Sequence, residues 1–139
     1  IKNKKQSKIV LGNLYAKRDW GHAEDYVEAM WKILNHKIAD DYVISTGKSY
    51  SVKYFVNLVS KKLNLKLRWI GKGIKEKAYD ENNNVIVECH KKYFRPLEVN
   101  FLKGDFSKAK KNLNWKPKKN ISDLADDMIS HVMKEISDN

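Results

Sequence analysis

The chain has 139 residues, which suits one domain with a single hydrophobic core and is short for a two-domain enzyme. No run approaches the roughly 20 apolar residues that cross a bilayer, and the start IKNKKQSKIV has no apolar stretch or cleavage site of a secretory signal. Cys89 is the only cysteine, which excludes an internal disulfide and, with the missing signal, predicts a cytoplasmic location.

The charge balance is strongly basic. Lysine and arginine number 28 against 17 aspartates and glutamates, which gives a net charge of +11 and attracts polyanions or phosphorylated ligands. The lysines are scattered in short clusters, as on a solvated surface. A nucleic-acid-binding module is an alternative, but the aromatic residues fall mainly at helix-core spacing rather than on an exposed stacking face.

The first half of the chain alternates strands and helices. KIVL and DYVIST are β-rich runs bounded by polar or glycine residues, and they predict short strands. Between them, AEDYVEAMWKILN has a helical period that predicts one buried stripe. The stripe comprises Ala23, Tyr26, Val27, Met30, Trp31 and Leu34. SVKYFVNLVSKKL predicts a second amphipathic helix, which Ser49 or Ser51 caps.

The second half continues this alternation and predicts an α/β fold. LKLRWI and NVIVE predict strands, and YDENNNVIVEC predicts a hairpin because asparagine tolerates the left-handed backbone of a tight turn. SKAKKNLNW predicts a short helix closed by Pro117. A last helix runs from Ile121 to Ile136, with Asn120 and Asp123 as its capping pair. Its predicted buried side comprises Ile121, Leu124, Ala125, Met128, Val132 and Ile136.

The first candidate site lies in VLGNLYAKRDWGHAEDYV, where a strand ends at Gly12 and Asn13 and a loop leads to Arg18. A guanidinium group offers a planar fork of donors that matches a phosphate. The alternative is a salt bridge from Arg18 to Asp19 or Asp25, which would fasten the loop.

The second candidate is KKYFRPLEV. Arg95 precedes Pro96 and is therefore biased toward an extended backbone, whereas Pro96 suits the first position of a helical turn. If PLEVNFL is helical for a turn, Arg95 and Glu98 project from one side and hold one ligand, the arginine an anionic group and the glutamate hydroxyls. The alternative is an ion pair between the two side chains.

Metal and cofactor motifs are missing from the sequence. The histidines and the cysteine (His22, His36, Cys89, His90 and His131) do not have the spacing of metal ligands, and adjacent residues of a strand point apart, which excludes a zinc site. A Cys/His nucleophile pair is left open. The chain has no glycine-rich phosphate loop, so we expect no cofactor on this chain alone.

Several segments, taken in chain order, carry a family resemblance: LGNLYAKRDWGHAEDYVEAMW, YVISTGKSYSVKYFV, GKGIKEKAYD, KKYFRPLEVNFLKGDFSKAKKNLNWKP and the last helix. Together they resemble the C-terminal half of GDP-mannose 4,6-dehydratases, which are extended short-chain dehydrogenase/reductases. RDWGHAEDYV, YFRPLEV and GKGIKEK resemble the GDP-mannose branch in particular.

The resemblance implies that residues 1–139 form a single nucleotide-sugar-binding domain, truncated at its N-terminus and lacking the Rossmann half that binds NADP. The complete enzyme would be a homo-oligomeric lyase of nucleotide-sugar metabolism, with GDP-fucose, GDP-rhamnose or another sugar nucleotide as the end product. It oxidises GDP-mannose at C4, eliminates water across C5 and C6 and returns the hydride to C6. The family's Tyr-x-x-x-Lys pair lies in the missing half, so the fragment is predicted to be inactive and to have no catalytic residue.

The resemblance also assigns roles in substrate binding. Arg18 and Arg95 resemble the diphosphate-binding arginines, Glu98 the partner of the ribose hydroxyls, and Leu11, Gly12 and Asn13 the guanine-side wall. The chain departs from the family at Tyr15, where aspartate is usual, at Phe106, where proline is usual, and in ECHKKYF. These departures concern the shape of the loops more than the class of ligand. A related epimerase or dehydratase acting on another nucleotide sugar is a separate alternative.

Overall fold

The computed structural model describes residues 1, 6–95, 97 and 99–138. The strands are β1 Ile9–Leu11, β2 Lys17–Arg18, β3 Tyr50–Ser51, β4 Arg68–Ile70, β5 Lys77–Tyr79 and β6 Val85–Cys89. The α-helices are α1 Ala23–Leu34, α2 Val52–Lys62, α3 Ser107–Leu113 and α4 Ile121–Ser137, and short 3₁₀ helices span Gly73–Lys75 and Lys91–Tyr93. The mixed α/β fold predicted from the sequence is therefore confirmed.

The chain divides into two compact units. The first comprises Ile1–Lys17 and Ser51–Asn100, and the second comprises Arg18–Tyr50 and Phe101–Asn139. The prediction that residues 1–139 form a single nucleotide-sugar-binding domain stays a prediction.

The first unit is built on a four-stranded sheet in the order β1-β6-β5-β4. β1 runs parallel to β6, whereas β5 pairs antiparallel with both β4 and β6. The predicted hairpin is confirmed, and Asn83 takes its left-handed position with φ 60°. Ala78, Ile86 and Val87 form the core, and Val56 of α2 packs against it. The Ser51 side chain accepts the Tyr54 N–H at 3.1 Å, so Ser51 is the N-cap of α2.

The core of the second unit gathers around Trp115. This side chain is 1% exposed and packs with Ala29 of α1 and with Ala109 and Leu113 of α3. Its Nε1–H donates to the Asp25 carbonyl at 2.9 Å. The Asp25 carboxylate in turn accepts the N–H groups of residues 118 and 119 at 3.0 Å each, so this buried acid joins α1 to the segment that enters α4.

The start of α4 follows the sequence prediction. Asn120 accepts the N–H groups of Ser122 and Asp123, and the Asp123 carboxylate accepts the Asn120 N–H, which completes a capping box. The end of α3 differs from the prediction that Pro117 closes it. α3 ends at Leu113, because Asn114 adopts a left-handed backbone with φ 47°.

The predicted strand DYVIST is wrong. Residues 41–46 pair with no strand among the described residues, so their β-rich composition does not produce a ladder. Tyr42 and Ile44 nevertheless pack against the Trp115 core. Composition here reports burial of alternate side chains rather than pairing of the backbone.

The predicted buried stripe of α1 is wrong for most of its residues, although Tyr26 does pack against the Trp115 core. Val27, Met30, Trp31 and Leu34 are 62%, 59%, 65% and 84% exposed in the chain. The helix instead buries Asp25 and Ala29. α1 is therefore apolar on two faces, a pattern typical of a helix covered on both sides. In α4, Ile121 and Ala125 are buried as predicted, whereas Met128 and Val132 are about half exposed.

Among the described residues, no helix has the length and hydropathy to cross a membrane.

Candidate functional site

The loop after β1 is held at both ends within the first unit. The Leu11 carbonyl accepts the His90 N–H at 2.9 Å, and the Leu14 carbonyl accepts the Lys53 N–H at 2.9 Å. The Lys17 N–H then donates to the Asn100 carbonyl at 2.8 Å. The Leu11 side chain packs against the sheet core, so the guanine-side wall predicted at residues 11–13 is anchored to that core.

Gly12 brings two of the predicted site segments together. A Cβ atom at Gly12 would collide with the carbonyl oxygen of Tyr93, so only glycine allows this close approach of two backbones. Tyr93 ends the 3₁₀ helix Lys91–Tyr93, two residues before Arg95. The predicted guanine-side wall therefore lies beside the segment that carries Arg95, whose side chain is exposed.

Asn13 is fixed by two hydrogen bonds of its side chain. Its Oδ1 accepts the Tyr15 N–H at 2.9 Å, and its Nδ2 donates to the Asn100 Oδ1 at 3.3 Å. The first bond is the pattern by which asparagine forms a turn with the residue two positions later. The carboxamide of Asn13 is thus held in one orientation.

The turn of helix considered for PLEVNFL is not present in the described part of that segment. Leu97 lies in a turn, Val99 and Asn100 have no helical backbone, and Phe101 forms a bridge. The Asn100 carbonyl is bonded to the Lys17 N–H, so backbone pairing with another segment replaces a helical bond here. Pro96 and the predicted site residue Glu98 lie outside the described residues.

Arg18 belongs to the second unit, where it is partly buried in β2. The two carboxylates considered as its partners from the sequence both accept hydrogen bonds from backbone amides. Asp19 accepts from the N–H and hydroxyl of Thr46 at 2.8 and 2.5 Å, from the Gly47 N–H at 2.9 Å and from the Gly104 N–H at 3.2 Å. Asp19, which directly follows Arg18, therefore joins the segment of residues 46–47 to the segment around residue 104.

A buried cluster in the first unit was missed by the sequence analysis. The Glu76 side chain is 3% exposed, its Oε2 accepts the Tyr15 hydroxyl at 2.7 Å, and its Oε1 accepts from the Lys53 Nζ at 2.5 Å. The Lys53 Nζ also lies 4.6 Å from the ring centroid of Trp69. Residues 15, 53 and 76 are too far apart in sequence for spacing to reveal them, and the unusual Tyr15 was the one available signal.

These contacts change the protonation of the cluster. Burial opposes ionisation of Glu76, but the hydrogen bonds from Lys53 and Tyr15 outweigh it and lower the pKa of Glu76 below its usual value. The hydrogen bond to Glu76 raises the pKa of Tyr15, with burial adding to it. At neutral pH the tyrosine is therefore a phenol that donates its proton to a carboxylate.

The lowered pKa of Glu76 predicts acid-sensitive stability of the first unit. Its contribution is present above the ordinary pKa of 4.5 and is lost as the pH falls through the lower folded value. We expect the difference in free energy of unfolding between the wild type and Glu76→Gln to shrink between about pH 7 and about pH 3. Urea unfolding measures it, with the exposed Glu81→Gln as control, and a difference that does not vary with pH would contradict it.

Among the described residues, no group of three or more histidine, cysteine, aspartate or glutamate side chains is placed to hold a metal ion. Burial raises the pKa of the Cys89 thiol, and the charge of Glu76 raises it further. A thiol in these surroundings is a weaker nucleophile at neutral pH than a free cysteine.

Solved structures place this fold in a class. The structure is similar to dTDP-glucose 4,6-dehydratase from Bacillus anthracis, solved in complex with NAD, with a TM-score of 0.70, 16% sequence identity and coverage of 92% of this chain and 35% of that one. The fold is thus that of part of an extended short-chain dehydrogenase/reductase.

Sequence comparison narrows the class to one family. The family model for GDP-mannose 4,6 dehydratase matches residues 1–128, and the chain belongs to that family. The chain is 45% identical over 130 residues to GDP-mannose 4,6 dehydratase of Drosophila melanogaster, covering 93% of this chain and 33% of the relative. It is 47% identical over 120 residues to the Homo sapiens protein, covering 86% and 32%. The chain thus spans about one third of the length of these curated relatives.

Proposed function

We propose that this chain is the substrate-binding portion of a GDP-mannose 4,6-dehydratase and corresponds to its C-terminal half. The observation that carries the proposal is the close approach of Gly12 to Tyr93, which sets a wall of backbone next to the segment bearing Arg95. Family membership over residues 1–128 supports GDP-mannose as the nucleotide sugar.

Each proposed ligand group meets a side chain or backbone of matching chemistry. Arg18 and Arg95 neutralise the diphosphate, and each charge-assisted hydrogen bond contributes about 1.5 to 3 kcal/mol. Glu98 accepts hydrogen bonds from the ribose hydroxyls. Leu11, Gly12 and Asn13 form the guanine-side wall, with the Leu11 side chain anchored in the core.

Two glycines of this chain are required by internal packing. A Cβ atom at Gly21 would meet the Tyr26 ring, and one at Gly104 would meet the Ser45 side chain, so these close approaches serve the packing of the protein itself. In this proposal NADP is bound by the rest of the complete enzyme, where it supplies hydride transfer. The chain by itself has no dehydratase activity, and the complete cytoplasmic enzyme is a homo-oligomer.

A titration followed by amide NMR tests the proposal, because it resolves residues and detects weak binding. We expect GDP to shift the signals of residues 11–13 and of Arg95 with a dissociation constant of about 1 mM or weaker, since part of the cleft is missing. UDP and pyrophosphate serve as controls for the base and for simple charge attraction.

Three outcomes would contradict the proposal. Equal shifts with pyrophosphate and GDP would reduce the site to charge attraction. A preference for UDP or dTDP would favour a related epimerase or dehydratase. Salt-sensitive binding of single-stranded DNA without preference for GDP would favour the nucleic-acid module. Turnover of GDP-mannose with added NADP would separately contradict the inactivity of the chain.

A further inference from the structure

The buried carboxylate of Glu76 closes a ring of hydrogen bonds around the loop after β1. The Lys53 N–H binds the Leu14 carbonyl, the Lys53 Nζ binds one oxygen of Glu76, and the other oxygen binds the Tyr15 hydroxyl. Leu14 and Tyr15 are adjacent in the chain, so the ring returns to its starting point. A closed ring fixes the peptide between these two residues more firmly than any one of its bonds.

We propose that Glu76 is a positioning residue that sets the selectivity of this chain for its nucleotide base. The inference rests on the proposed function of residues 11–13 as the guanine-side wall. Glu76 acts through Tyr15, whose N–H holds the Asn13 Oδ1 and so orients the carboxamide and the backbone of the wall.

The composition of the cluster favours positioning over a purely structural role. Burying a carboxylate is costly, and an apolar core of similar volume often stabilises a protein as well as or better than a buried ion pair. Tyr15 is 52% exposed, so its ring contributes little to the core, yet its hydroxyl is tied to a residue that is 2% exposed. The hydrogen bond between the Tyr15 hydroxyl and Glu76 therefore fixes the orientation of the loop after β1.

Base and phosphate contacts are expected to respond differently when the ring is broken. The diphosphate is bound by charge, which tolerates small displacements of the ligand. A base is read by hydrogen bonds, which weaken steeply when their angles change. Loss of Glu76 should therefore reduce the preference for GDP over UDP, while the affinity for UDP stays near that of the wild type.

The experiment measures GDP and UDP affinities of the chain by NMR titration for the wild type and for Glu76→Gln and Tyr15→Phe. We expect the GDP affinity to fall roughly tenfold in each variant, and the UDP affinity to change less than about twofold. Glu88→Gln is the matched control, because Glu88 is a partly buried carboxylate of β6 that pairs with Lys8 at 2.6 Å and Lys77 at 3.8 Å. It should retain the preference for GDP.

Lys53→Arg and Lys53→Met extend the test if Glu76→Gln fails to fold. The arginine keeps a charged donor for Glu76 and should keep the preference for GDP, whereas methionine should lose it. Folded Glu76 or Tyr15 variants with the wild-type preference, or equal losses of GDP and UDP affinity, would overturn the inference. A wild type without a preference for GDP would instead overturn the proposed function.

Discussion

Trp115→Ala should destabilise the second unit by about 3 to 5 kcal/mol, the usual cost of removing a large buried aromatic side chain. Trp115 is 1% exposed, and its ring meets Phe106 edge to face at a centroid distance of 5.9 Å. The substitution leaves a cavity beside Ala29 and Ala109 and also removes the donor that satisfies the buried Asp25 carbonyl. Domains are typically stable by only about 5 to 15 kcal/mol, so a large fraction of the stability is lost.

Hydrogen exchange of the α1 and α3 amides, combined with urea unfolding, measures this loss, because exchange assigns the effect to one unit. Trp31→Ala is the matched control, since Trp31 is 65% exposed on the opposite face of α1 and its removal should change the stability by less than about 0.5 kcal/mol. Trp115→Phe keeps most of the ring but loses the bond to the Asp25 carbonyl, and we expect an intermediate loss. Equal effects of the two alanine variants would contradict the assignment of the core.

Local signals in the sequence were sufficient for the elements whose partners are close in the chain. Ser51 and the pair Asn120 and Asp123 cap their helices as predicted, since a cap depends on residues within one turn. The asparagine run predicted the hairpin, because φ 60° at Asn83 is a property of one residue. These caps and this turn are determined by residues close in the chain and therefore do not depend on tertiary contacts.

The periodicity of α1 and the composition of DYVIST were misleading for a common physical reason. Both patterns record where apolar side chains recur along the chain, but neither records whether another element covers them. Trp31 and Leu34 have the spacing of core residues and lie on the surface of this chain, and residues 41–46 have the composition of a strand but no partner strand within the described part.

The candidate site, like the fold, could be predicted from the sequence only in part. The sequence marked Gly12 only as the end of a strand. The requirement for glycine at this position follows from the collision that a Cβ atom would have with Tyr93. The sequence around Glu76 itself gave no signal, because its partners Tyr15 and Lys53 come from distant segments. Contacts of this kind depend on the register of the β5–β6 hairpin and on the position of α2, which are tertiary properties.

Arg18→Ala and Arg95→Ala should each weaken GDP binding by about 10- to 150-fold, as expected for the loss of one charge-assisted contact of about 1.5 to 3 kcal/mol. Because the wild-type chain is itself expected to bind weakly, a loss near the upper end of this range falls below detection in the NMR titration, whereas a tenfold loss is still measurable. Lysine at these positions should restore only part of the affinity, since an ammonium group lacks the planar fork that binds two phosphate oxygens.

Arg68→Ala is the matched control, because Arg68 is the third arginine of the chain and has a structural role. Its Nη2 donates to the Asn83 Oδ1 at 2.7 Å, and its guanidinium lies 5.6 Å from the ring centroid of Tyr79. If the net charge of +11 alone attracted GDP, removing any one of the three arginines would weaken binding to the same small extent. A loss confined to Arg18 and Arg95 therefore separates a diphosphate site from a basic surface, and an equal loss at Arg68 would contradict the site.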